Sequence, residues 1–151
     1  MKTTPKKRIY ALSNGASQGK TTTVKRIADE LHRLFPTAPI TPGLTSLSEH
    51  EILITLTIKG VKIGITSQGD PGTGLYRRLE QLADSEKCDL LICTTRSRGE
   101  TVRAILDIEK AFGFETVWFS NYQSENPLNH LYLNQKSALQ VVELIRDMNG
   151  F

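Results

Sequence analysis

The chain has 151 residues, 38% of them hydrophobic, with 19 Lys and Arg against 16 Asp and Glu for a net charge of +3. That length suits a single domain, residues 1–151, with a real core and no room for a separate substrate domain, and the charge is too small to argue for nucleic acid as a partner, which stays open without being expected. No apolar run reaches bilayer length and the start, with Lys6-Lys7-Arg8, lacks the apolar stretch of a secretory leader, so a cytoplasmic protein without a membrane partner is expected.

Ile9 to Leu12 is apolar throughout and predicts a short strand buried on both faces. A polar, glycine-bearing stretch then leads straight into a helix predicted over Lys20 to Phe35, where Val24, Ile27, Leu31 and Leu34 form one stripe and Pro36 stands just beyond the end. Residues 36–48 carry three prolines and no periodicity, which predicts a long loop of the functional or disordered kind. Ile52 to Ile58 and Val61 to Thr66 alternate and are joined by Lys59-Gly60 alone. Two residues are too few for a parallel crossover, so these form an antiparallel hairpin.

Ser67 to Gly74 reads as a loop with three glycines. The helix after it, Leu75 to Lys87, puts Leu75, Leu79, Leu82 and Ala83 on one face and leaves Arg77 and Arg78 on a solvated one. Asp89 to Thr94 is a fourth strand, with Leu90-Leu91-Ile92-Cys93 continuously apolar; Cys88 and Cys93 bracket an apolar run at a spacing of neither zinc nor disulfide type and read as reduced core or near-core thiols. A helix from Gly99-Glu100-Thr101 to Phe112 carries Val102, Ile105, Leu106 and Glu109 and is ended by Gly113. Thr116 to Phe119 is the fifth strand, with Trp118 and Phe119 in the core or on the sheet face. Ser120 to Asn126 is a polar loop, Pro127 opens a short turn, and Lys136 to Met148 is the last helix with Leu139, Val142 and Ile145 inward. His32, His50 and His130 have no ligand spacing and read as surface histidines. The sum is an α/β fold: a three-layer α/β/α sandwich on a mostly parallel five-stranded sheet, with one antiparallel strand from the hairpin.

Between the first strand and the first helix lies Ser13-Asn14-Gly15-Ala16-Ser17-Gln18-Gly19-Lys20-Thr21. A strand that turns into a helix in so few residues leaves several main-chain N–H groups pointing into one hollow, and Gly15 and Gly19 let that backbone approach an anion closely. Lys20 then reaches the outer phosphates of a nucleotide and the Thr21 hydroxyl ligates Mg²⁺. The stretch resembles the Walker A motif of the P-loop nucleoside triphosphate hydrolases, with Asn14 where the pattern has Gly and Gly15 one place late. That resemblance implies a sandwich of P-loop type in which Asn14 to Thr21, with Thr22 beside them, hold the nucleotide. The alternative is a Gly/Ser turn that happens to end in Gly-Lys-Thr.

Turnover needs more than a cradle. P-loop families carry an Asp at the end of the strand next to it, and the strand from Val61 offers Asp70 a few residues late, either as a Mg²⁺ partner through water or as the start of a turn at Pro71. Gln68 is the candidate to orient an attacking water, by resemblance to a Gln in this loop of GTPases. Arg96 and Arg98, after a buried strand and before a helix start, are the candidates to stabilise transferring phosphoryl charge. The order of P-loop, helix, long loop and hairpin is similar to the small GTPases of the Ras type. No Asn-Lys-x-Asp for guanine follows the fourth or fifth strand, so ATP is expected ahead of GTP, and Tyr122 is placed to stack on a purine.

The leading expectation is therefore Mg²⁺-dependent nucleoside triphosphate binding with slow hydrolysis. The loops at 36–48 and 67–74 would respond to nucleotide and offer a surface to a protein partner. A small phosphotransferase, in which the loop at 36–48 together with Arg77, Arg78, Arg96 and Arg98 holds an acceptor, and a noncatalytic nucleotide-binding interaction module are the alternatives.

Overall fold

The computed structural model describes residues 6–13, 20–42, 52–67, 74–96, 99–122 and 124–151, excepting the side chains of Lys20, Thr21 and Pro42. Six strands, β1 (Arg8–Ser13), β2 (Ile40–Pro42), β3 (Leu53–Ile58), β4 (Val61–Thr66), β5 (Leu90–Thr95) and β6 (Glu115–Phe119), form one open sheet in the order β2-β3-β4-β5-β1-β6. β3 runs antiparallel to both neighbours and the other pairings are parallel, so the single antiparallel strand is where the hairpin predicts it. The hairpin turn sets Lys59 and Gly60 at φ of 50° and 82°, the left-handed pair that matches strand twist in a two-residue connection.

The expected five strands are six. β2 lies inside the segment 36–48 expected to be loop, where Ile40, Thr41 and Pro42 pair with Leu56, Thr55 and Ile54. Three residues ending in proline carry no readable period, and proline is tolerated there because β2 is an edge strand.

Among the described residues four helices cover the sheet: α1 (Lys20–Leu34), α2 (Leu75–Glu80), α3 (Glu100–Phe112) and α4 (His130–Asn149). Strand alternation divides the core in two. Tyr10, Leu12, Ile63, Ile65, Leu90 and Ile92 face α1 and α4, packing on Val24, Ile27, Leu31, Val141, Val142 and Ile145. Ile9, Ala11, Leu91 and Cys93 face the opposite way, toward Leu75, Leu79 and Leu82 and toward Ala104, Ile105 and Ile108 of α3. β1 and β5 are thus buried on both faces, as continuous apolar runs in parallel strands require.

Several helices differ from their sequence reading. α2 passes into a π-helical turn at Gln81–Ser85, and its second arginine is not on a solvated face: Arg78 is buried, only 7% exposed. In α3 the inward set is Thr101, Ala104, Ile105 and Ile108, while Leu106 is exposed. α4 starts at His130, well before the expected Lys136, and turns Leu139 outward. Its stripe is masked in the sequence because buried Asn134 and Ser137 occupy inward positions, bonded to Asn121 and to the Tyr122 amide. Trp118 is 43% exposed on β6, the sheet-face placement.

Cys88 and Cys93 are buried free thiols, as expected. Arg8 Nε donates to Glu115 at 2.9 Å and Lys6 pairs with the same carboxylate at 3.0 Å, holding its pKa below the usual range and joining the starts of β1 and β6. Among the described residues no helix is long and apolar enough to cross a membrane.

Candidate functional site at the carboxyl edge of the sheet

β1 ends at Ser13, flanked by parallel strands on both sides, and α1 begins at Lys20. α1, leaving β1, lies on one face of the sheet; α3, leaving the neighbouring β5, lies on the other. The chain therefore parts to opposite sides above the carboxyl ends of β1 and β5, a switch point of the kind at which ligands bind in open α/β sheets. Ser13 and Thr95 are register partners there.

Hydroxyls crowd this edge because strand ends leave main-chain groups that the ladder no longer satisfies. The Ser67 hydroxyl accepts the Ile52 N–H at 2.8 Å, and the Ser67 carbonyl accepts the Thr94 hydroxyl at 2.8 Å, tying the end of β4 to β3 and β5. Thr101, at the start of α3, accepts the Arg96 N–H at 2.9 Å and lies 2.8 Å from the Thr95 hydroxyl. The Arg96 carbonyl accepts from Ser13 at 3.4 Å, so both main-chain groups of Arg96 are held by side chains, one of them on the last residue of β1.

Arg78 lies buried beside the end of β4 and the start of α2. Its Nε donates to the Thr66 hydroxyl at 3.1 Å, its main-chain N–H donates to the Gly74 carbonyl at 3.3 Å, and one terminal nitrogen would lie 3.7 Å from a Cβ on Gly74. One arginine therefore touches both flanks of residues 68–73. Its charge also opposes the effect of burial, which pushes the Cys93 thiol up to about 12.

Of the residues singled out in the sequence, Asn14, Gly15, Ala16, Ser17, Gln18, Gly19, Gln68, Asp70 and Arg98 lie outside the described residues, as do the side chains of Lys20 and Thr21. The main chain of Lys20 and Thr21 forms the first turn of α1, with Thr22 half-buried beside them. Arg96 is half-buried at the end of β5. One expectation is corrected: the strand from Val61 is not next to β1, because β5 lies between them. The group beside the end of β1 is Thr94-Thr95-Arg96 and not the residues that follow β4. Thr101 and Ser67 were not singled out as site residues, and Arg78 was named only as an acceptor-holding residue of the phosphotransferase alternative; the paired hydroxyls Thr66-Ser67 and Thr94-Thr95 at two strand ends were the available signal.

Two grooves open nearby. One of about 540 Å³ lies between the starts of α2 and α3, with Arg77 and Arg103 set among Glu100 and Asp107. The other, about 440 Å³, lies between β6 and α4 and includes Tyr122, whose hydroxyl bonds to Gln140. Among the described residues no group of His, Cys, Asp and Glu is arranged to hold a metal ion. Compared with known proteins, the chain matches no family model, no curated protein and no solved structure.

Proposed function

We propose that the chain is a cytoplasmic P-loop nucleoside triphosphatase that binds ATP ahead of GTP, with Mg²⁺, at the turn between β1 and α1, and hydrolyses it slowly. The observation that carries the reading is a doubly buried central strand ending at Ser13, followed by a helix starting at Lys20, at the point where the helices part to opposite faces of the sheet. The sequence between them, Asn14 to Gly19, is the one that resembles a phosphate cradle.

The donor set suits a hard cation: the described edge offers the hydroxyls of Ser13, Ser67 and Thr95, and the one thiol near it, Cys93, is buried and held protonated. Thr21 and Asp70 would hold Mg²⁺, which when bound supplies charge neutralisation on the outer phosphates. Arg96, fixed through its main chain to Ser13 and Thr101, is the described cation closest in register to the cradle and would face phosphoryl charge. Gln68 would orient water, and Arg98 would add charge. The segments 36–48 and 67–74 would respond to nucleotide and present a surface to a protein partner, with Arg78 anchoring both flanks of the second.

Nucleotide binding and phosphate release measured on the wild type and on Lys20→Ala test this. Loss of both in the variant is expected; equal rates would remove the hydrolase, and tight binding without turnover would leave a noncatalytic module.

The groove beside Arg77 and Arg103 favours a second reading, a phosphotransferase whose acceptor lies between α2 and α3. It predicts that Arg103→Ala raises the KM for an acceptor and leaves ATP binding unchanged. No acceptor effect across nucleosides and common metabolites would count against it.

A further inference from the structure

The two edges of the sheet are built differently. β2, at one end, is three residues long, follows Pro39 and closes with Pro42, which is how edge strands are kept from pairing with other chains. β6, at the other end, reads Glu115-Thr116-Val117-Trp118-Phe119 and holds neither proline nor lysine. Its single charge, Glu115, is already engaged by Lys6 and Arg8. Among the described residues β6 pairs with β1 alone, leaving its outer side with unmatched main-chain donors and acceptors.

What lies beside that edge says what fits it. On the α4 side, Phe119, Val141 and Leu144 line the groove of about 440 Å³, and Glu143 and Asp147 stand exposed on the same wall. Neither carboxylate has an ion-pair partner among the described residues. On the other face, by strand alternation, Trp118 is exposed at the edge.

We propose that the open edge of β6 is a docking site for an extended basic segment of a partner protein, which adds to the sheet as a strand. Its main chain pairs with β6, apolar side chains on one face enter the groove, and flanking Lys or Arg meet Glu143 and Asp147. A second copy of this chain is the poorer occupant. Antiparallel pairing of β6 with itself keeps both α4 helices on one face and brings two acidic walls together. The inference does not depend on nucleotide binding.

Trp118 is the only tryptophan in the chain, so its fluorescence reports on this edge directly. The full chain is titrated with ten-residue peptides that alternate Lys with Val or Phe, with the same peptides carrying Glu for Lys, and with two versions N-methylated on alternate amides, one in each register. The Lys peptides are expected to shift Trp118 emission to the blue, one methylation register to abolish the shift, and the Glu peptides to give none. Glu143→Lys combined with Asp147→Lys, both on the exposed surface, is expected to weaken binding at least about tenfold, the size of two modest surface charge contacts. No shift with the Lys peptides overturns the proposal, as does equal binding of both methylated versions. A concentration-dependent blue shift of the protein alone, with a dimer in sedimentation, gives the edge to a second copy and overturns it as well.

Discussion

The hydroxyl of Thr101 accepts the main-chain N–H of Arg96 at 2.9 Å, from a side chain only 2% exposed. The first turn of α3 is thereby locked to the end of β5, and through the Arg96 carbonyl and Ser13 to the end of β1. The backbone of Arg96 is fixed at the end of β5, and on the proposed function its guanidinium would meet phosphoryl charge from a preorganised base.

Replacing Thr101 by Val keeps the shape but removes the hydroxyl that accepts the Arg96 N–H, while the Thr95 hydroxyl keeps the Arg96 carbonyl as an acceptor at 3.1 Å. A loss of about 1–3 kcal/mol is expected, the cost of an unsatisfied buried polar group. Phosphate release should fall by a larger factor than nucleotide affinity, and Thr101→Ser should restore both. Thermal denaturation and steady-state turnover check this; wild-type values for the Val variant would sever the link between Thr101 and the site.

Arg78 is a buried cation whose Nε holds the Thr66 hydroxyl. Arg78→Ala empties the space of a long side chain and strands that hydroxyl, so a loss of about 1.5–3 kcal/mol is expected, the range for hydrogen bonds to charged groups. Arg78→Lys should recover little, because a single ammonium cannot reproduce a planar fork. Urea midpoints for the two variants decide it, and a Lys variant as stable as wild type would contradict it.

Gly64 faces the π-helical turn after α2. A Cβ there would lie 2.9 Å from Leu82 Cδ2 and 3.0 Å from Cys88 Sγ. Gly64→Ala should cost about 1–3 kcal/mol through overpacking, although alanine suits a strand better than glycine. Combining it with Leu82→Ala should give less than the sum of the two losses; strict additivity in a double-mutant cycle would show that the clash is not the cause.

Burial pushes the thiols of Cys88 and Cys93 up to about 12 from 9.0. The unfolded chain releases these protons first, so their contribution to stability is whole below about pH 9 and is lost as pH rises toward about 12. A thiol reagent at pH 8 should label neither cysteine until the protein unfolds, and Cys88→Ala with Cys93→Ala should flatten the alkaline decline. Rapid labelling of the native protein would refute their burial.

Most of the architecture was legible because the side-chain period is a local property. The apolar runs of β1 and β5, the two-residue turn at Lys59-Gly60 and the stripe of α1 each announce themselves within a dozen residues, and the helix end at Gly113 is there with its left-handed φ of 76°. The start of α4 was hidden for an equally local reason: Asn134 and Ser137 face inward because Asn121 and Tyr122 offer partners, and no period of apolar residues records that.

By itself the sequence determined five of the six described strands, the presence of the four helices, the apolar runs of β1 and β5 and the stripe of α1, and where a phosphate-cradle pattern sits between a strand and a helix. Only the tertiary structure decided that β5 and not β4 lies beside β1, that Arg78 is buried, that Thr101 holds Arg96, and that, among the described residues, one sheet edge is left open. The division follows from range: periodicity comes from neighbours along the chain, whereas strand order, the satisfaction of buried polar groups and the exposure of an edge depend on pairings between residues far apart in sequence.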